Sequence, residues 1–138
     1  MLSWLDLPNV EYLGLLPYKE LPQFLGALDV CLIPHRNTEY CKSMSPLKLF
    51  QYLASGRPIV ATEIEGLDRV KDLVRVARSH QEFVQLIERS LEEDSEQDSA
   101  RRIARARLES WESRVQEMFQ AVMSNMAAQS TNSKPRCE

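Results

Sequence analysis

The chain has 138 residues, with 17 Lys and Arg against 20 Asp and Glu for a net charge of −3. That is enough for one domain with a moderate core, and it offers no global positive field to a nucleic-acid backbone, so nucleic acid is not an expected partner. No apolar run reaches the length of a membrane-spanning helix, and the N-terminus, with Asp6 and Pro8 among its apolar residues, lacks a signal-peptide plan, so the expected location is the cytoplasm.

In chain order, residues 10–13 read as a buried strand ending at Gly14. Residues 21–27 follow as a helix with Pro22 in its first turn, and Leu21, Phe24, Leu25 and Leu28 form an apolar face expected to lie against a sheet. Residues 30–33 are continuously apolar, as in a central strand of a parallel sheet, and strand, helix, strand implies a right-handed crossover. In open parallel sheets ligands bind beyond the carboxyl ends of the strands, which puts residues 34–45 on the candidate face. Arg36 can grip phosphate with a forked guanidinium, and His35 stands beside it. The plain alternative is a surface loop with two solvated side chains. Glu39 and Tyr40 are weaker candidates.

The stretch 43–62, SMSPLKLFQYLASGRPIVAT, organises the rest. Ser45 can cap a helix and Pro46 suits its first turn. Leu47, Leu49, Phe50, Leu53 and Ala54 then recur at helical spacing until Gly56 supplies a left-handed cap and Pro58 forbids continuation. Ile59, Val60 and Ala61 follow as a strand buried on both faces. The amides at Ser45, Pro46 and Leu47 concentrate partial positive charge, to which Lys48 adds a full one, and together these suit an anion. An ordinary capped helix with a solvated lysine is the plain alternative.

Beyond Thr62 a turn is expected at Gly66 and a last strand over residues 73–76. Glu63 and Glu65 read as solvated loop carboxylates. Ser79 and Glu82 form a capping box for a helix with Phe83, Leu86, Ile87, Ser90 and Leu91 on one face and His80 in its first turn. After the polar break EEDSEQDSA, a long amphipathic pattern runs from Ile103 to Val122 with a bend near Ser110 and Trp111 as a core anchor. The run RRIARAR, residues 101–107, reads as a solvated helix face, with a lipid-headgroup patch at the membrane's cytoplasmic side as the alternative. Cys31, Cys41 and Cys137 show neither Cys-x-x-Cys spacing nor a histidine partner, so no disulfide framework and no metal site is indicated. Cys31 should behave as a small core residue, and Cys41 lies in the loop facing the site.

SPLKLFQYLASGRPIVAT resembles the donor-nucleotide segment of GT-B fold glycosyltransferases, in particular glycosyltransferase family 4, which reads S/N-P-x-K-x-x-E-Y-x-A-x-G-x-P-V-V-A-T. NVEYLGLLPYKELPQFLGALDVCLIP resembles the same family's approach to the site, and the likeness runs from about Asn9 to Trp111. The resemblance implies an α/β fold, a doubly wound, Rossmann-like parallel sheet followed by C-terminal helices. It also implies a nucleoside diphosphate sugar as donor substrate, with no separate cofactor and no metal, and retention of configuration at the sugar. The diphosphate would meet Ser45, Pro46 and Leu47, with Lys48 or Arg36 balancing leaving-group charge and His35 nearby. The family's paired glutamates, eight positions apart, are Ser43 and Gln51 here. Glutamine still accepts a hydrogen bond from a ribose hydroxyl but without a carboxylate's charge.

Such a half-domain carries further strands ahead of residue 10, and these are not read in residues 1–9. The sheet is therefore expected to be incomplete. Residues 1–97 would be the later part of a donor domain, 98–128 amphipathic helices and 129–138 a mobile tail. The acceptor-binding N-terminal domain would be missing, the isolated chain inactive, and part of the final apolar stripe exposed and able to join two copies. A non-catalytic nucleotide-sugar-binding or interaction module is the alternative, with a flavodoxin-like regulatory domain behind it.

Overall fold

A computed structural model describes residues 7–36, 38, 47–64 and 67–132, with side chains placed through Met126. Its regular elements are α1 (Leu21–Ala27), β1 (Cys31–Ile33), α2 (Leu47–Ser55), β2 (Ile59–Thr62), a 3-10 turn (Asp68–Val70), β3 (Arg75–Ala77), α3 (His80–Glu93), α4 (Glu96–Leu108) and α5 (Trp111–Asn132). The three strands form a parallel sheet in the order β1-β2-β3. This is the expected α/β class with an incomplete Rossmann-like sheet and most helices toward the C-terminus.

The sheet is organised by β2. Ile59 and Ala61 join Cys31, Ile33, Leu49 and Leu53 in one core cluster. Val60, which strand alternation turns to the other face, is 0% exposed. α3 packs on β2 and β3. Burial on both faces explains a run of Ile, Val and Ala with no polar interruption.

α2 ends as its sequence dictates. Gly56 has φ of +72°, the left-handed cap that a side chain resists. A Cβ there would also stand 2.5 Å from Ser99 Oγ and 2.9 Å from Ile103 Cδ1, so the glycine lets α4 lie directly on the end of α2. α2 and α4 form the most extensive helix contact of the fold.

Several expectations are corrected. Residues 10–13 are irregular, with Val10 half-buried and Tyr12 and Leu13 open to solvent. A strand needs a ladder partner, and none of the described residues supplies one. β1 is an edge of the described sheet and the central strand is β2, because α2 returns the chain to one side of β1 only. Leu32 of β1 is accordingly part-exposed, since α3 covers β2 and β3.

The apolar face of α1 packs on α2 instead of on the sheet, with no buried residue and with Phe24 and Leu28 exposed. The last strand is shifted to Arg75–Ala77. Leu73 and Val74 form the turn before it, and Val74 still reaches the core.

The C-terminal helices follow their signals more closely. Ser79 Oγ accepts the Glu82 N–H at 3.1 Å and Glu82 reaches back to the Arg78 N–H at 2.7 Å, one residue earlier than the standard box. Leu91, expected on the packed face, is exposed, while Ser90 is buried and donates to the Leu86 carbonyl at 2.6 Å.

The polar break shrinks to Asp94 and Ser95, because Ser95 caps α4 by accepting the Asp98 N–H at 3.1 Å. The bend falls at Glu109 and Ser110. Trp111 is 78% exposed and not a core anchor, since the helix it opens leaves the body of the fold. The turns expected at Gly66, and the residues Glu65 and 133–138, including Cys137, lie outside the described residues.

Candidate functional site

The order β1, α2, β2 in a parallel sheet sends α2 back antiparallel to its strands. Its first turn therefore stands at the carboxyl end of β1. The residues leaving β1 and those opening α2 share one end of the sheet. His35 is half-buried there, and Arg36, Leu47 and Lys48 are exposed. Gln51 stands one turn further along α2. It lines a cleft of about 370 Å³ between α1 and α2, with Tyr18, Leu21, Leu25 and Ala54. Ser43, Ser45 and Pro46, together with Glu39, Tyr40 and Cys41, lie outside the described residues.

The end of β1 is held by a threonine of β2. The ladder pairs Ile33 with Ala61 and goes no further. In its place, the Thr62 side chain accepts the His35 N–H at 2.9 Å and donates to the His35 carbonyl, also 2.9 Å away. Thr62 ended the stretch of interest in the sequence, but it carried no assigned role. The signal was there, as a hydroxyl at the tip of an otherwise apolar strand.

Behind this end, Cys31 is buried with its thiol pushed above the ordinary value by desolvation, partly offset by the Ser55 hydroxyl and then by Arg57 and Arg102. Burial likewise raises the Tyr52 phenol, with Cys31 adding to it. Arg57 donates through Nη2 to the Gly26 carbonyl and ties α1 to the turn after α2. That contact holds both walls of the Gln51 cleft.

Arg102 corrects the reading of residues 101–107 as a solvated face. Its side chain is buried and donates from Nε at 3.0 Å and Nη2 at 2.8 Å to the Gly56 carbonyl, while Nη2 also reaches Asp94 Oδ2 at 2.6 Å. One guanidinium thus satisfies the carbonyl of the glycine that caps α2 and joins the ends of α3 and α2 to α4. Charge counting missed it because a lone inward arginine looks the same in sequence as its exposed neighbours.

Glu63 is exposed as expected and lines an open cavity of about 850 Å³ beyond β2 and β3, with Lys71, Val76, Arg78 and Glu82. Among the described residues there is no group of three or more His, Cys, Asp or Glu able to hold a metal ion. Nor is any described helix long and apolar enough to cross a membrane.

With this arrangement in place, comparison with known proteins is decisive for the family. The model of the family described as "Glycosyl transferase-like" matches residues 3–120. The chain belongs to that glycosyl transferase-like family. It is also similar to a protein of Bacillus subtilis (strain 168) named a candidate teichuronic acid biosynthesis glycosyltransferase, TuaH, being 34% identical over 67 residues. Those residues make up 49% of this chain and 17% of that relative, so the likeness covers well under a fifth of the relative's length. No solved structure matches the chain.

Proposed function

We propose that the chain contributes the donor side of a glycosyltransferase and binds a nucleoside diphosphate sugar beyond the carboxyl ends of β1 and β2. The observation that carries this is the β1–α2–β2 unit. In a chain of a glycosyl transferase-like family, it gathers His35, Arg36, Leu47 and Lys48 at one strand end. Glycosyl transfer breaks the bond between the sugar's anomeric carbon and the diphosphate, which leaves with its negative charge increased. Arg36 and Lys48 would offset that charge, and the amides opening α2 would add to them.

His35 is a further contact to the diphosphate or to the sugar. Gln51 would accept a ribose hydroxyl through its amide oxygen, the cleft it shares with Tyr18 having room for a nucleoside. Ser43, Ser45 and Pro46 belong to the same proposed cradle. On this scheme the side chains carry the leaving-group charge, no metal is called on, and the sugar's configuration is retained.

The acceptor would be held by a separate N-terminal domain, so the chain alone is expected to bind donor without transferring it. The named role of the TuaH-like relative makes a cell-envelope polysaccharide a reasonable product class for the whole protein. Its place would be the cytoplasm or the membrane's cytoplasmic face.

The test is thermal unfolding of the chain across a panel of UDP, GDP, ADP and TDP sugars. A donor at a hundred times its dissociation constant should stabilise by about 2.7 kcal/mol. A flat response to all of them overturns the donor site. A second reading, a nucleotide-sugar-binding module without catalysis, is favoured by glutamine standing at 51 where the family motif has glutamate. The same panel run on Gln51→Glu separates the two. A lapsed or working enzyme should gain affinity, whereas a module that never held ribose there should not.

A further inference from the structure

We propose that Thr62 is a positioning residue, whose hydroxyl holds the His35 peptide and thereby sets where His35 and Arg36 stand at the carboxyl end of the sheet. Three observations converge on it. The β1–β2 ladder stops at the Ile33–Ala61 pair, so the chain beyond Ile33 has no strand pairing to orient it. Thr62 then makes both bonds of a rung with one atom, accepting from the His35 N–H and donating to the His35 carbonyl, each at 2.9 Å.

The other options for these groups are weaker. The Ile33 carbonyl stands 3.1 Å from the His35 N–H across a three-residue turn, and 3.4 Å from the Thr62 hydroxyl. Thr62 is itself fixed, because its backbone pairs with Ala77 on β3. The bond therefore ties the residues just beyond β1 to the buried strand β2. Arg36, the next residue, inherits that placement.

The ligand part of this inference rests on the donor-site reading, and the loop part does not. The test uses the full chain as wild type, Thr62→Val and Thr62→Ser. Valine keeps the branched shape and removes the hydroxyl, while serine restores it. The first readout is amide hydrogen exchange at His35 and Arg36 without ligand. Exchange should quicken about tenfold at His35 in Thr62→Val, return toward wild type in Thr62→Ser, and stay unchanged at Ile59 and Val60.

The second readout is affinity for whichever nucleotide sugar of the panel binds the wild type. It should weaken about fivefold in Thr62→Val and recover in Thr62→Ser, with melting temperatures close to wild type in both. Unchanged exchange at His35 in a folded Thr62→Val overturns the inference. So does quickened exchange with unaltered affinity. If the wild type binds none of the panel, the donor-site reading falls and the ligand part with it, and the exchange rates alone then decide whether Thr62 holds the loop. Should Thr62→Val fail to fold, quickened exchange at His35 in Thr62→Ala supports the hold and unchanged exchange overturns it.

Discussion

The strand β2 and the helix α5 are both rich in apolar residues, yet they meet opposite fates. Ile59, Val60 and Ala61 are sealed on both faces of the sheet, whereas Trp111, Val115, Met118, Phe119, Val122 and Met126 all lie open to solvent along α5. Apolar content alone does not separate them. Neighbours do. β2 is flanked by a parallel strand on each side and covered by α3 and the α2 layer. α5 touches the body near its first turn, where the Arg114 guanidinium stands 5.9 Å from the Phe50 ring centre and pairs with Glu109. A hydrophobic pattern specifies which side of an element wants cover, and the topology decides whether cover is there.

The strongest way to break this contrast is to open a cavity under β2. Leu53 on α2 is fully buried within the cluster that includes Ile59 and Ala61. Leu53→Ala should cost about 3–5 kcal/mol, the range for a leucine whose surroundings cannot collapse. Urea titration followed by circular dichroism reads it, and a loss under 1 kcal/mol would show that the core is not closed there.

The next effect belongs to Arg102, whose buried guanidinium joins Gly56 to Asp94. Arg102→Met removes both sets of hydrogen bonds and leaves a carboxylate and a helix-end carbonyl without this donor. The expected cost is about 2–4 kcal/mol, toward the lower end because Asp94 retains some access to water. The double variant Arg102→Met with Asp94→Asn should be less destabilised than the sum of the two single ones, because the second change no longer breaks an ion pair. Strict additivity in the same urea titration would mean that the pair is not coupled in solution.

These two residues also show what the sequence could and could not reveal. Leu53 was legible: helical spacing, Gly56 and Pro58 define α2 and its buried side from sequence alone. The strand Ile59–Thr62 and the Ser79 cap were equally plain, because each signal is local and sits within a few residues of its effect. What failed was non-local. Residues 10–13 carry a strand's composition, but strand formation requires a partner elsewhere, and edge or centre for β1 depends on which strands flank it. Arg102 was hidden because its role depends on a carbonyl 46 residues away. At the candidate site residues 47, 48 and 51 were readable from the resemblance and residues 35 and 36 from their place after a strand end, while the Thr62 rung needed the spatial meeting of two strand tips.

The smallest effect, and the sharpest check on the contrast, is at Trp111. An indole that anchors a core costs several kcal/mol to remove, whereas one standing 78% exposed at the start of α5 has little packing to lose. Trp111→Ala should therefore change the free energy of unfolding by no more than about 0.5 kcal/mol, partly because alanine is also the better helix former. Measured by urea titration at low protein concentration, so that contact between copies is dilute, the variant should unfold at nearly the wild-type midpoint with the same slope. A loss of 2 kcal/mol or more would place Trp111 against the body of the fold, and α5 would then belong with β2 among the covered elements.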